Sequence, residues 1–261
     1  MKPPIVIVGI GELASVFARA FLRNGCPVYP ITRAMDIADE AQYLPEPRLV
    51  LVAVAENDFH DVMQTIPARW RSKLALLQNE LLPRDWLAHG IDDPTVISVW
   101  FEKKKGMDYN VLLPSPVYGA GAGLIAESLA AIDISCKILR SAEDLVFELV
   151  LKNVFVFTIN IAGLILAEGT TTAMLWQQHE KLARAVANDT ITLQEFETAG
   201  SFSRERLIDG LVNGIKGDPN HKCKGRAAAG RLARALEIAD RGGIEIPAIR
   251  DIQRHLTLGT A

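Results

Sequence analysis

Through its first half the chain alternates between short apolar runs and amphipathic segments. Ile5–Val8 is an unbroken β-branched run, and residues 49–55 are apolar throughout, as in a strand buried on both faces. Between them, residues 11–23 place Leu13, Phe17, Ala20 and Phe21 on one helical face. Val28–Ile31 and residues 74–77, 95–100, 111–113 and 136–139 read as further strands. Pro30 argues against a central place for the second of these, because a central strand loses a ladder hydrogen bond at proline. Residues 58–64 and 123–131 read as helices. Strands alternating with helices predict an α/β fold, with an N-terminal Rossmann-type, doubly wound parallel sheet covered on both faces.

Beyond residue 141 the pattern turns helical, over residues 142–167, 171–187, 193–215 and 225–241. In the last of these, Ala228, Leu232, Ala235, Leu236 and Ala239 share one face, while Arg231, Arg234 and Glu237 point elsewhere. Gly242-Gly243 then ends the helix. The pattern predicts a dinucleotide-binding domain over residues 1–141. A smaller all-helical domain for substrate and dimerisation follows over 142–261, joined to it directly by a helix.

Composition narrows the function. The 261 residues are 49% hydrophobic and 23% charged, with 28 Lys plus Arg against 31 Asp plus Glu, giving a net charge of −3. That balance fits a globular chain and gives no basic surplus for nucleic acid. The cysteines, Cys26, Cys136 and Cys223, are scattered and form no C-x-x-C pair, which fits a reducing cytosol and argues against a structural metal site. The histidines show no metal-ligand spacing. Met1-Lys2-Pro3-Pro4 leaves no room for a signal peptide before the first strand. The apolar stretch from Val154 to Ala167 is interrupted by Thr158 and Asn160 and falls short of a membrane span, so it reads as a buried helix.

Gly9-Ile10-Gly11-Glu12-Leu13-Ala14 follows the first strand and opens the first helix. In a G-x-G-x-x-A turn the first glycine permits the tight turn and the second lets backbone approach a pyrophosphate. The third position must be small for helix to pack on strand. The helix N-terminus adds free N–H groups and a positive dipole end. At the end of the second strand no carboxylate occurs between Cys26 and Met35. Thr32-Arg33 stands there instead, and a guanidinium suits a ribose 2′-phosphate. NADP(H) is therefore expected in preference to NAD(H).

Residues 148–160 open a mostly apolar helix that carries Lys152, Asn153 and Asn160. Buried polar groups need partners. Asn153 and Asn160 are seven apart and share a face, with Lys152 about a quarter turn away. Together they can line a cleft between the domains, where a lysine can protonate a carbonyl oxygen as hydride reaches the carbon. Equally, Glu148 and Lys152 have the spacing and order of an i,i+4 ion pair, and the asparagines can bond neighbouring helices.

The glycine turn, Arg33, the Lys152 helix and the helical second half together resemble the 6-phosphogluconate dehydrogenase-like superfamily, two branches most of all. Ketopantoate reductases carry a lysine followed eight residues later by an asparagine on such a helix, which Lys152 and Asn160 match. They also carry an asparagine after the fourth strand, which Gln78-Asn79 resembles. NAD-dependent glycerol-3-phosphate dehydrogenases carry Leu-Lys-Asn-Val, matching Leu151 to Val154, and a later run similar to Gly169-Thr170-Thr171. The stretch ending Gly243-Ile244-Glu245-Ile246-Pro247 looks like the closing helix and turn of both. The resemblance implies a nicotinamide cofactor, Lys152 as acid–base group, and Asn160 and Asn79 as positioners of substrate or nicotinamide. There are departures. Val54-Ala55-Glu56 stands where ketopantoate reductases have a second lysine, and Val156 where they have another asparagine. Lys224-Gly225-Arg226-Ala227 stands where they have an acidic residue. The arginine-asparagine phosphate segment of the glycerol phosphate branch is not visible.

Two function classes follow. One is an NADP-dependent oxidoreductase acting on a small anionic carbonyl or hydroxy compound, a cytoplasmic protein and a homodimer through its helical domain, with neither membrane nor nucleic acid as partner. The other is a reductase-like protein that has lost its chemistry and binds nucleotide for regulation or structure. Among the remaining motifs, residues 102–105 read as a solvated turn between strands. Gly119-Ala120-Gly121-Ala122-Gly123 reads as a flexible connector or an anion site. Residues 221–226 read as a mobile surface loop whose cations can lower the Cys223 pKa.

Overall fold

Among the described residues, nine strands alternate with short helices before the chain turns wholly helical. They are β1 (Ile5–Val8), β2 (Val28–Ile31), β3 (Leu49–Val52), β4 (Leu74–Leu76), β5 (Thr95–Ile97), β6 (Phe101–Lys103), β7 (Tyr109–Val111), β8 (Ser115–Tyr118) and β9 (Cys136–Ile138). The structure, a computed structural model, describes residues 3–258. The chain divides into two compact units, Met1–Glu148 and Leu149–Ala261. This division falls seven residues beyond the one read from the sequence, inside the long helix α6 (Ala142–Gly163).

In the first unit seven strands form one sheet in the order β2-β1-β3-β4-β5-β8-β9. The first five run parallel, β8 runs antiparallel to β5, and β9 runs parallel to β8. The sheet is therefore mostly parallel, as expected, with one antiparallel pairing towards the β9 end. β1 and β3 are buried at every residue, as their unbroken apolar runs require. β2 is an edge strand, which is where Pro30 is tolerated. Apolar periodicity passed over β6 and also β8, which starts after Pro114 and contains Pro116. The strand expected at residues 95–100 ends early, at Ile97, and β6 follows at Phe101, so Glu102 and Lys103, expected in a turn, lie in a strand that pairs with β7. Lys104 and Lys105 occupy the turn of that hairpin.

One face of the sheet is covered by α1 (Glu12–Arg23) and α5 (Ala122–Ala130), whose Phe17, Phe21, Ile125 and Leu129 share a core with Ile5, Ile7, Leu49 and Leu51. Fully burying one such aromatic or aliphatic side chain contributes about 1.5–3 kcal/mol. Three shorter helices are α2 (Ile37–Tyr43), α3 (Phe59–Thr65) and α4 (Pro83–Leu87). Of these only α3 stood out in the hydrophobic pattern; α2 shows itself through its cap, Asp36, which accepts from the Asp39 N–H at 3.0 Å.

The second unit holds the rest of α6 with α7 (Thr172–Gln178), α8 (Glu180–Thr198), α9 (Arg204–Gly217), α10 (Ala228–Gly242) and α11 (Pro247–Leu258). The breaks differ from the periodic reading and lie at His179 and at residues 199–203. Ala199 adopts a left-handed conformation that ends α8, and Ser203 caps α9 by accepting from the Arg206 N–H. Arg231, expected off the apolar face of α10, is buried. At 22 residues and mean hydropathy 1.8, α6 is the one helix among the described residues long and apolar enough to cross a membrane. It is longer than the stretch read from the sequence, and 78% of its apolar window is buried within the fold, as in a core helix.

The glycine run before α5 is neither a loose connector nor an anion cradle. Gly119 has φ +107°, and a Cβ there would lie 2.7 Å from the Thr95 Cα. The Gly121 N–H is already taken by the Thr95 hydroxyl at 2.8 Å. Gly119→Ala is therefore expected to lower the unfolding free energy by about 2–4 kcal/mol through backbone strain and overpacking. Urea denaturation against the unmodified protein measures this, with little change expected in the slope.

Candidate nucleotide site

The carboxyl ends of β1, β2 and β3 are fastened to one another by backbone hydrogen bonds. The Gly9 N–H donates to the Ile31 carbonyl at 2.9 Å, and the Ala53 N–H donates to the Val8 carbonyl at 2.8 Å. Gly9 turns the chain at φ +90°, and a Cβ on it would lie 2.8 Å from the Val54 Cγ1 and 2.9 Å from the Ala53 carbonyl oxygen. Conformation and close approach both demand glycine.

Gly11 differs. It is the N-cap of α1, in an extended conformation open to any residue, and a Cβ built on it meets no protein atom within 4 Å. Nothing in the chain itself requires a glycine there. No side chain caps the helix, so the N–H groups of Glu12, Leu13 and Ala14 begin it without intrahelical acceptors. Ala14, at the third position of the motif, is buried in the α1–sheet core, and Leu13 packs against the same cluster. The Glu12 carboxylate turns outward to Lys103, 3.4 Å away.

Across these strand ends lies a cavity of about 830 Å³, a size that holds a large organic ligand. Gly9, Gly11, Ile31 and Ala53 line its strand side, Thr32 and Arg33 its β2 side. Its other wall comes from α2 and α3 and brings Asp36, Asp58 and Asp61. These carboxylates lie beyond residues 26–35, the segment around the end of β2 in which no carboxylate occurs. The Thr32 hydroxyl accepts from the Ala34 N–H, shaping the turn that presents Arg33. The Arg33 guanidinium reaches across to Asp58, with Nη2 and Oδ2 2.6 Å apart.

Asn79 follows β4 and is half-buried in a turn, outside the walls of this cavity. Its neighbour Gln78 is buried and donates to the Val52 carbonyl at 2.8 Å, tying β4 to β3. In the helical unit Asn153 donates to the Gln194 Oε1 of α8 at 2.8 Å. Asn160 donates to the Cys223 carbonyl at 3.2 Å, and its Oδ1 accepts from the Arg231 Nη1 at 2.7 Å. Lys152 is half-buried, its ammonium 5.6 Å from the Phe155 ring centre. The carboxylate of Glu148 reaches Lys137 of β9 at 3.0 Å.

His221 and Cys223, at the start of the 221–226 segment, are bonded to the chain around Thr170 and Thr172. Cys223 is buried, its N–H donates to the Thr170 carbonyl, and the His221 carbonyl accepts from the Thr172 N–H. Burial pushes the Cys223 thiol up to about 11, opposite to the lowering that flanking cations suggested, so it is a poor nucleophile near neutral pH.

The two motif glycines should separate cleanly in stability measurements. Gly9→Ala is expected to cost about 2–4 kcal/mol, since it adds both strain and a clash. Gly11→Ala is expected to stay within about 1 kcal/mol, because its Cβ enters open space. Thermal or denaturant melts of the two variants check the contrast, and equal losses would contradict it.

No protein-family model matches the sequence, and no curated protein matches it. Solved structures do. A 2-dehydropantoate 2-reductase from Methylococcus capsulatus is 12% identical over 98% of this chain and 96% of its own, with a TM-score of 0.69. A dimeric ketopantoate reductase from Staphylococcus aureus is 13% identical over 98% of each chain, with a TM-score of 0.64. A D-mandelate dehydrogenase in complex with NADH is 13% identical over 96% of each chain, also with a TM-score of 0.64. Along nearly its whole length, then, this chain has the fold of the ketopantoate reductases, one of the branches that its sequence resembles.

Proposed function

We propose that the chain is a nicotinamide-dependent oxidoreductase that binds NADP(H) in the cavity at the ends of β1, β2 and β3. Its substrate is a small anionic carbonyl or hydroxy compound. The observation that carries this reading is Gly11. The protein's own atoms leave the space in front of it open, and a pyrophosphate drawn to the uncapped first turn of α1 is a reason for keeping that space. Arg33, on the cavity wall at the end of β2, has the position and charge to pair with a ribose 2′-phosphate. The structures that share this fold include proteins named as reductases of a 2-oxo acid and a dehydrogenase complexed with NADH, which supports the same class.

When bound, such a cofactor supplies or accepts a hydride. On this reading Lys152 Nζ holds the proton that the substrate oxygen takes up or gives away. Asn160, Asn153 and Asn79 order the surroundings of that chemistry. The matched lysine and asparagine spacing of α6 supports the assignment. Cytosolic residence rests on three free cysteines, and a homodimer through the helical unit on the dimeric Staphylococcus relative.

A second reading, a nucleotide-binding module without turnover, draws on a specific observation. Asn153 and Asn160 already satisfy buried partners in Gln194, the Cys223 carbonyl and Arg231, and Glu56 stands where the resembling family has a second lysine. Consumption of NADPH across a panel of 2-oxo acids and keto phosphates separates the two. Turnover with at least one supports the enzyme; tight binding with no turnover supports the module.

NADPH should bind more tightly than NADH, and Arg33→Ala should erase most of the difference. Because the side chain is well exposed, the loss should be near the low end for a charge-assisted contact, about tenfold. Equal affinities in the unmodified protein would remove the basis for preferring NADP. For the chemistry, Lys152→Met keeps stem length and packing while removing the charge. It should slow the chemical step by about 10²–10⁴ and leave NADPH affinity within about twofold. A Met variant turning over at the normal rate would exclude Lys152 as the acid–base group.

A further inference from the structure

Arg33 does not face the cavity alone. Its guanidinium is held across the cavity by Asp58, the residue that precedes α3, at 2.6 Å, and both residues line the cavity. Asp58 occupies the N-cap position of α3, yet its carboxylate makes no capping hydrogen bond to that helix. Asp36 on the same wall is different, because it is committed to capping α2. The ion pair is the hydrogen bond that holds Asp58 here, and it takes up part of the guanidinium that a ligand phosphate would need.

We propose that Asp58 is a specificity-determining residue of the cavity. It competes with a 2′-phosphate for Arg33, and so limits how strongly the site favours a 2′-phosphorylated adenosine over an unphosphorylated one. This rests on the nucleotide reading given above and refines it. A phosphate monoester carries close to two negative charges at neutral pH and presents more acceptor oxygens than a carboxylate, so it can displace Asp58. The displaced carboxylate stays tethered beside it, and Asp61 adds a further negative charge to the wall. A 2′-hydroxyl brings no charge and meets no such competition. At separations near 5 Å in a water-like dielectric with physiological salt, the repulsion corresponds to about fivefold in affinity. Asp58 therefore acts on one class of ligand and leaves the other nearly untouched.

The test is calorimetric titration of the full chain with 2′,5′-ADP and with 5′-ADP, comparing the unmodified protein with Asp58→Asn. The substitution is nearly isosteric at a half-buried position, so the fold is expected to persist. Asp58→Asn should bind 2′,5′-ADP about fivefold more tightly and 5′-ADP within about twofold, and the gain should shrink as salt is raised. In an Arg33→Ala background the same change should have a smaller effect, since no guanidinium remains to be released. If the unmodified protein binds both nucleotides but Asp58→Asn leaves 2′,5′-ADP unchanged or weaker, the role of Asp58 is refuted while the nucleotide reading stands. An equal gain with and without Arg33 refutes the competition as well. If the unmodified protein binds neither nucleotide, the nucleotide reading itself fails, and the inference with it.

Discussion

The absence of a side chain at Gly9 is the constraint on which the site rests. The backbone there passes so close to Ala53 and Val54 that a methyl group would strike both. That proximity lets β1 and β3 end side by side, with the Ala53 N–H bonded to the Val8 carbonyl. It also swings the chain directly into α1, so the helix begins at the strand ends and its uncapped first turn lies at the cavity. The two parallel neighbours of β1 diverge in connectivity at this point, β2 on one side and β3 on the other, and such switch points leave a crevice beyond the strand ends. The motif thus acts through strand topology as well as through its own conformation.

The helical unit solves a different problem, the burial of polar groups in an apolar helix. α6 carries Asn153 and Asn160 into a region where an unmatched amide would be costly. Each is matched by a different neighbour. Asn153 reaches α8, and Asn160 joins the backbone at Cys223 to the side chain of Arg231 on α10. The second arrangement pins Cys223 while Thr170 and Thr172 hold it and His221 by main-chain bonds. A cysteine amid a cluster of cations thus becomes a fixed point with a shielded thiol.

Much of this was legible in the sequence, and the reasons are local. The strands β1 and β3, the helix α1 and the glycine turn follow from apolar runs and residue types within a few positions of one another. Arg33 was legible because it directly follows a recognisable strand. Asp58 was not, since only the folded sheet brings the end of β2 beside the start of α3. β8 escaped because Pro114 and Pro116 disguise a strand that nevertheless pairs on both sides, with β5 and β9. The breaks at His179 and Ala199 escaped because helical periodicity carries across them; the cap Ser203 was the better signal for the second, and no capping side chain marks the first. The fate of Cys223 depended on burial, which flanking charges do not report.

The edges of the sheet have a consequence for assembly. β2, at one edge, carries Pro30, which has no N–H to offer an incoming strand. β9, at the other, is three residues long, and its exposed Lys137 is engaged with Glu148. Short strands, proline and edge charge are the means by which proteins prevent their sheets from continuing into a neighbouring molecule. Both borders of this sheet carry such devices. The exposed Ile138 is therefore a weak seed for aggregation, and copies of the chain that associate have little reason to do so by joining sheet to sheet.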